Sequence, residues 1–463
     1  MTIALPTRWR SALPHLTTPM PPDVTPATAA AGTGVGVNLP MELVRQSVLE
    51  REYWDIPKEI LAAYRQFRPT PLWRATGFER AIGSRVPVYM KYEGGNISGS
   101  HKLNTALAQA YYYQQAGVKE LVTGTGAGQW GTAMAAACAL FGLRCRVFMV
   151  DSSLRRKPYR GVLMRMLGAE IHSSPSGLTG VADRRGEGIG NSLALAIGEA
   201  VEYASTHDGV AFCIGSGETY SILHQSVIGI EAQDQLAALD ATVDMVVGAV
   251  GAGSNFGGIA LPFHAGARAT GTQGPTLVAA ESATAPKLTR GVYAYDKTDA
   301  TGTGPLEAMY TIGSDYPIPD AHSAGLRFHG AAKIISAMRH TGDIAATAVT
   351  QQEALDAGRL LTRNECVLPA PESGHALAAA AKLATSGADG MRAQNGVLVC
   401  VSGHGYLDLA AYEQLLNDEL GDEAPSEQAL MSAVSGLTPV GQDASSPPRG
   451  SLLSAGGPLG GPR

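Results

Sequence analysis

The stretch Leu121-Val-Thr-Gly124-Thr-Gly126-Ala-Gly128-Gln-Trp-Gly131 leads from a strand-like segment into an Ala-rich one, Gly131 to Phe141, and Arg144 to Val150 then returns to strand-like residues. Apolar runs of these lengths, punctuated by glycines, make a β-loop-α-β unit. The alternation continues in both directions. Upstream, Val86 to Tyr92 precedes a helical Leu103 to Tyr113; downstream, Gly161 to Leu167 reads as helix. A second set follows, with strands at Met245 to Val250, Thr276 to Ala280 and Gly396 to Val401 and helices at Phe256 to His264 and Ser373 to Ala384. This order predicts an α/β protein: mostly parallel sheets covered by helices on both faces, in two α/β domains with a cleft where strand ends meet.

The 463 residues carry 35 Lys+Arg against 41 Asp+Glu, a net charge of −6, so there is no electrostatic case for nucleic-acid binding. With 45% apolar residues the chain can bury a large core. Five cysteines with no C-x-x-C pair argue for reduced core thiols rather than a disulfide framework or zinc ribbon. The 11 histidines show no H-E-x-x-H and no zinc spacing, so no metal site is expected. No apolar run reaches the about 18 residues that span a bilayer. Arg8 and Arg10 are not followed by an apolar h-region, so no signal peptide is read and a cytoplasmic location is expected. Residues 1–38, rich in Pro, Thr, Ala and Gly, and residues 424–463, rich in Ser, Gly and Pro, are expected to be disordered.

Two glycine loops and one lysine carry the chemistry. The first loop, Gly124 to Gly131, would point backbone amides at an anion from a helix N-terminus. Read alone, Gly126 to Gly131 also fits G-x-G-x-x-G with Asp151 about twenty residues on, as in a dinucleotide fold; a plain turn is the other reading. The second loop, Gly251-Ala252-Gly253-Ser254-Asn255, again sits between strand and helix. One dinucleotide does not need two such cradles, whereas a small phosphate and a substrate carboxylate do. Lys102 follows a polar loop and enters the helix that starts near Leu103. The helix dipole there opposes an ammonium and favours a nucleophilic amine able to form a Schiff base, although such a lysine can equally be a solvated surface residue.

From Leu39 to Leu416 the chain resembles the beta chain of tryptophan synthase, a fold-type II pyridoxal 5′-phosphate enzyme, and most closely that family's second, divergent subtype. The matching stretches are Arg68-Pro-Thr-Pro-Leu72, Gly99-Ser-His-Lys102, Gly126-Ala-Gly-Gln-Trp-Gly131, Lys157-Pro-Tyr-Arg160, Leu223-His-Gln225, Gly325-Leu-Arg-Phe-His-Gly330, Pro369-Ala-Pro-Glu372 and Ser402-Gly-His-Gly405. The resemblance implies that Lys102 carries the cofactor and shuttles the Cα proton, with His101 beside the phosphate. It implies a phosphate cradle of Gly251, Ala252, Gly253, Ser254 and Asn255, with Ala252 where the family usually has glycine, and Ser402 on the pyridine nitrogen. It assigns Thr125, Gly126, Ala127, Gly128 and Gln129 to the substrate carboxylate and brings Glu372 near the cofactor. A cofactor-phosphate-binding domain of residues 39–102 and 236–423 and a second domain of residues 103–235 complete the picture.

The implied reaction starts from L-serine or an activated serine, passes through a cofactor-bound aminoacrylate and ends in β-replacement by indole or another nucleophile. A homodimer, an alpha-type partner subunit and a monovalent cation are further implications. One position departs. The family's motif begins with a glutamate that assists loss of the serine hydroxyl; here it is Gly124. The loss removes acid-base help of typically about 10²- to 10⁴-fold. Glu218, in Gly215-Ser-Gly-Glu218, is the candidate replacement. The alternatives are a serine/threonine dehydratase-type deaminase and a non-catalytic binding or scaffold protein.

Overall fold

The computed structural model describes residues 3–24, 38–181, 183, 193–298, 304–421 and 424–441. Strands β1 (Arg8–Arg10) and β2 (Tyr53–Asp55) form an antiparallel pair. The chain then enters a larger sheet through β3 (Leu72–Arg74) and β4 (Val88–Tyr92). It crosses to a smaller sheet made of β5 (Glu120–Thr125), β6 (Arg144–Val150), β7 (Glu170–Ser174) and β8 (Val210–Phe212). β9 (Met245–Ala249) and β10 (Thr276–Ser282) return to the larger sheet, β11 (Val292–Asp296) and β12 (Glu307–Thr311) pair antiparallel, and β13 (Ala345–Val349) and β14 (Val397–Val401) complete it.

The larger sheet has the order β13-β10-β9-β14-β4-β3, parallel except for β3, and the smaller has β7-β6-β5-β8, parallel throughout. Every residue of β9 and β14 is buried, which is why these strands read as continuous apolar runs rather than alternating ones. Lys102 opens the helix Lys102–Gln115 on the crossing between the sheets. The helices Thr219–Gln225 and Val227–Ala238 both pack on Ser254–Thr270, the helix that leaves β9. Among the described residues no helix is long and apolar enough to cross a membrane.

Both termini are more ordered than their composition suggests. Residues 3–24 lie within the expected leader, yet Trp9 on β1 is fully buried against His224, with ring centroids 4.6 Å apart. Arg10 adds an ion pair to Glu52 at 2.7 Å. A three-residue strand has no measurable period, and its partners are far away in sequence, so composition alone could not show it. Within the expected C-terminal tail, Ser426 caps a helix, Glu427–Val434, whose Leu430 packs with Ala285 and Ile312. A last strand, β15 (Thr438–Pro439), pairs with β11. The rest of both expectations, residues 1, 2, 25–37 and 442–463, lies outside the described residues.

A fully buried charge cluster ties the larger sheet to the helices around Lys102. Arg68 bonds Glu93 at 2.8 Å and Glu231 at 2.8 Å, Lys91 bonds Glu231 at 2.8 Å, and all four side chains are solvent-free. Arg68 also donates to Asn104 Oδ1 at 2.9 Å, and Thr70 Oγ1 donates to Glu93 at 2.6 Å. Burial alone would raise the Glu93 carboxyl, but Arg68, Lys91 and these hydrogen bonds outweigh it and hold it at about 2. For Lys91 burial wins, and its ammonium is pushed below the usual lysine range despite Glu231 and Glu93.

Because the folded Glu93 lies below its ordinary value of 4.5, its stabilisation is fully present above that pH and is lost as pH falls toward 2. Glu93→Gln is expected to cost about 3 kcal/mol at pH 7 and to flatten the loss of stability between about pH 5 and pH 2. Urea unfolding midpoints across that range measure both effects.

Candidate active site

The carboxyl ends of the parallel strands in both sheets face one cleft, because each strand there runs into a loop that opens a helix. After β9, Gly251 to Gly253 lead into the helix Ser254–Thr270, whose N-cap Gly253 has φ +133°. A Cβ at Gly251 would lie 2.3 Å from the Gly325 carbonyl oxygen, so only glycine lets the loop approach this closely. The first-turn amides of this helix have no intrahelical acceptor and open on a concave compartment lined by Ser100, His101, Lys102, Asn255, Glu372 and Ser402 among others.

His101 reaches the Ser402 carbonyl oxygen through Nδ1 at 3.3 Å and Ser254 Oγ through Nε2 at 3.3 Å. A carbonyl can only accept, so Nδ1 carries the proton and Nε2 accepts from the hydroxyl. Burial, with Lys102 adding to it, lowers His101 to about 3, and the ring is neutral at pH 7. Ser402 Oγ pairs with Ser373 Oγ at 2.8 Å at the end of β14. Buried without a hydrogen-bond partner are Ser100 Oγ and Glu372 Oε2, while Glu372 Oε1 accepts from Gly325 N at 3.0 Å.

The second loop follows β5. Thr125 Oγ1 accepts from Gly128 N at 3.2 Å and Gly131 N at 3.4 Å, closing a turn in which Gly128, at φ +89°, caps the helix Gln129–Phe141. It faces a second compartment, continuous with the first through Lys102, Gln129, Ser216, Ala252 and Gly325, which line both. The far walls are apolar: Trp130, Leu193, Ile197, Phe212, Ile214 and Phe328. Lys102 thus stands where the two compartments meet. Burial lowers its amine below the usual lysine range; Glu372 opposes this and Arg160 reinforces it. A less protonated amine is a better nucleophile and a usable base.

The structure therefore brings together Lys102, His101, Gly251, Ala252, Gly253, Ser254, Asn255, Glu372, Ser402, Thr125, Gly126, Ala127 and Gln129 as lining residues of one cleft, with Gly128 shaping the turn. It does not bring Glu218 into either compartment. That half-buried side chain lies among Lys333, Asp23 and Glu307; burial raises its carboxyl, Lys333 opposes this and Asp23 adds to it. The sequence reading passed over Arg327 although it quoted the motif that contains it. Arg327 lines the second compartment, pairs with Asp320 at 2.6 Å, and leaves its buried Nε without a hydrogen bond to any described residue. The available signal was a cation inside the quoted motif Gly325-Leu-Arg-Phe-His-Gly330.

Gly124 is closed in by backbone. A Cβ there would lie 2.5 Å from the Ile197 amide nitrogen and 2.7 Å from the Ala196 carbonyl oxygen, both in the helix Leu193–Ser205. A carboxylate side chain cannot be placed at this position without displacing that helix.

A compartment lined by a glycine-rich cradle at a helix N-terminus, a neutral histidine, a serine hydroxyl and a half-buried lysine fits pyridoxal phosphate. The comparisons agree. The family profile described as pyridoxal-phosphate dependent enzyme matches residues 64–403. The processed form of threonine deaminase isoform 2 from Solanum lycopersicum superposes with a TM-score of 0.59 at 17% identity, over 86% of this chain and 98% of that one, and so shares the fold. The tryptophan synthase beta chain of Pyrobaculum islandicum is 48% identical over 385 residues, 82% of this chain and 90% of that protein. Tryptophan synthase beta chain 2 of Aeropyrum pernix is 42% identical over 434 residues, 91% of this chain and 96% of its own. The class is a fold-type II pyridoxal-phosphate lyase that catalyses β-substitution. Within that class, the chain belongs to the tryptophan synthase beta chain family.

Gly124→Glu is expected to lower stability by about 2 kcal/mol or more through overpacking and to give no gain in turnover. Gly126→Ala, whose nearest neighbour is a Leu193 side-chain carbon at 3.9 Å, should stay within about 0.5 kcal/mol of the parent. Thermal melts of the two variants check the contrast.

Proposed function

We propose that this enzyme performs β-replacement on a serine derivative that brings its own anionic leaving group, O-phospho-L-serine being the first to test, with an apolar nucleophile of the indole class as acceptor. The observation that carries this reading is the make-up of the second compartment: no carboxylate stands at Gly124, and an arginine with an unpartnered Nε lines the wall. Loss of hydroxide needs a proton donor, whereas an anionic leaving group needs a cation, and Arg327 supplies one. An arginine keeps its charge even though burial lowers its pKa here, with Asp320 opposing the shift.

Each residue has a task that the geometry supports. The loop amides of Gly126 to Gln129 hold the substrate carboxylate at the start of a helix. The Lys102 amine takes the Cα proton and returns it after the acceptor has added. Ser402 would offer the ring nitrogen a neutral hydroxyl, and the cradle of Gly251 to Asn255 would hold the phosphate. Pyridoxal phosphate, when bound, supplies the electron sink that makes the Cα proton acidic. The apolar walls favour a flat uncharged acceptor and keep out water, which would otherwise release pyruvate. Glu218 stays a candidate only as an indirect influence. The relatives' description as beta chains supports an alpha-type partner, and a homodimer remains part of the proposal.

The test is donor selectivity in the presence of indole. The parent should form tryptophan faster from O-phospho-L-serine than from L-serine. Arg327→Leu should lower kcat/KM for the phosphorylated donor by about 10- to 100-fold, the worth of a charge-assisted hydrogen bond, while changing that for L-serine less than about 3-fold. Equal losses on both donors would contradict the role given to Arg327. Pyruvate as the main product with acceptor present would favour deamination instead.

A further inference from the structure

The motif Lys157-Pro-Tyr-Arg160 opens the helix Pro158–Met166, which lies between β6 and β7 and packs on the smaller sheet. Arg160 is buried, and its Nη2 donates to Asp408 Oδ2 at 2.7 Å. Lys157 Nζ donates to the other oxygen of the same carboxylate, Oδ1, at 2.6 Å. The Asp408 side chain is solvent-free and belongs to the loop that leaves β14, an interior strand of the larger sheet. One carboxylate of the larger sheet thus holds both cations of a helix that packs on the smaller one.

The same helix supports the turn after β5. Arg160 and Met164, about one helical turn apart, lean on Gly128 and Gly131. A Cβ at Gly128 would lie 3.0 Å from Arg160 Cδ, and one at Gly131 would lie 2.8 Å from Met164 Sδ, so the two glycines let the helix come this close. The loop that carries Asp408 is fixed in turn to the segment before Lys102. His101 N donates to the Ser402 carbonyl at 2.9 Å, His404 N to the Gly99 carbonyl at 3.0 Å, and Asp408 N to the Gly405 carbonyl at 2.8 Å. Hydrogen bonds and packing therefore run from the residues beside Lys102, through Asp408 and Arg160, to the Gly128 turn.

Glycines at 124, 126, 128 and 131 give that loop wide conformational freedom. Amides bind an anion well only when they already converge on it, so a loose loop needs support from outside. We propose that Arg160 is a positioning residue for the substrate carboxylate: held by Asp408, it keeps the Gly128 turn, and with it the amides of Gly126 to Gln129, in register with Lys102. The guanidinium acts through the turn and lines neither compartment itself. The inference deepens the proposed function and rests on its assignment of those amides to the carboxylate.

The experiment titrates the pyridoxal-phosphate-loaded protein, by cofactor absorbance, with L-serine and with ethanolamine, which is L-serine without its carboxylate. O-phospho-L-serine and phosphoethanolamine repeat the comparison for an activated donor. Ethanolamine meets the same Lys102 and so controls for the effect of Arg160 on that amine. The parent should bind each acid at least about 10-fold tighter than its amine. Arg160→Met and Asp408→Asn should each weaken the acids about 10-fold, and the amines and pyridoxal phosphate less than about 3-fold. The double variant should lose no more than the worse single one, as for a pair that acts as a unit. Arg160→Lys, which keeps a cation for Asp408, should fall between Arg160→Met and the parent. Equal losses for acid and amine, additive losses in the double variant, no loss at all, or failure of both single variants to fold overturns the proposal. A parent that binds the amines as tightly as the acids overturns the carboxylate assignment and the inference with it, and is told apart because it shows before any substitution is made.

Discussion

The arrangement depends on a group of charges that water never reaches. Arg68, Lys91, Glu93 and Glu231 come from the segment before β3, from β4 and its following loop, and from the helix Val227–Ala238. Taking four ions out of water is costly, and the cost is offset only when each finds its partner in good geometry. The cluster therefore admits few alternative packings. Asn104 joins it through Arg68 and Glu93, also donates to Gln225, and lies two residues from Lys102 on the same helix. The position of the Lys102 helix is thus set by a lattice of hydrogen bonds behind it, while burial is the main cause that lowers the pKa of its amine.

Around that fixed point the fold repeats one device. A parallel strand ends, glycines turn the chain, and a helix begins with its free amides toward the cleft. β9 ends in one such cradle and β5 in the other, which the proposed function gives to the cofactor phosphate and the substrate carboxylate. Arg327 adds a second cation to Lys102 on the lining of the second compartment, and the absence of an acid at position 124 is built into the packing of Leu193–Ser205 over Gly124. The cleft pairs two glycine cradles with a cation on the wall of its second compartment, and this is the physical basis for proposing an activated donor.

Much of this was legible in the sequence. The alternation of buried strands and Ala-rich helices has a strong local signal, and so do glycine loops between them, which is why both loops could be read directly, whereas Lys102 stood apart from a surface lysine only through the family resemblance. Trp9 and Leu430 were hidden because short terminal elements acquire their stability from distant partners rather than from a period of their own. Gly124 was visible as a departure, but not the helix that closes over it. Glu218 is close in sequence to Ser216, which lines the cleft, yet the chain turns through Gly217 at φ +116° and its carboxylate lies with Lys333 instead. Arg327 gave little signal beyond its place in a quoted motif, since its importance lies in what surrounds it after folding.

The central claim is that Lys102 is the amine to which the cofactor binds. Three lysines have amines lowered by burial, Lys91, Lys102 and Lys287, so the assignment is a real choice. The most direct measurement is borohydride reduction of the pyridoxal-phosphate-loaded protein followed by peptide mass spectrometry. The account predicts a single modified peptide with the phosphopyridoxyl group on Lys102. A label on Lys91 or Lys287, or a stable complex that borohydride cannot fix, would contradict it.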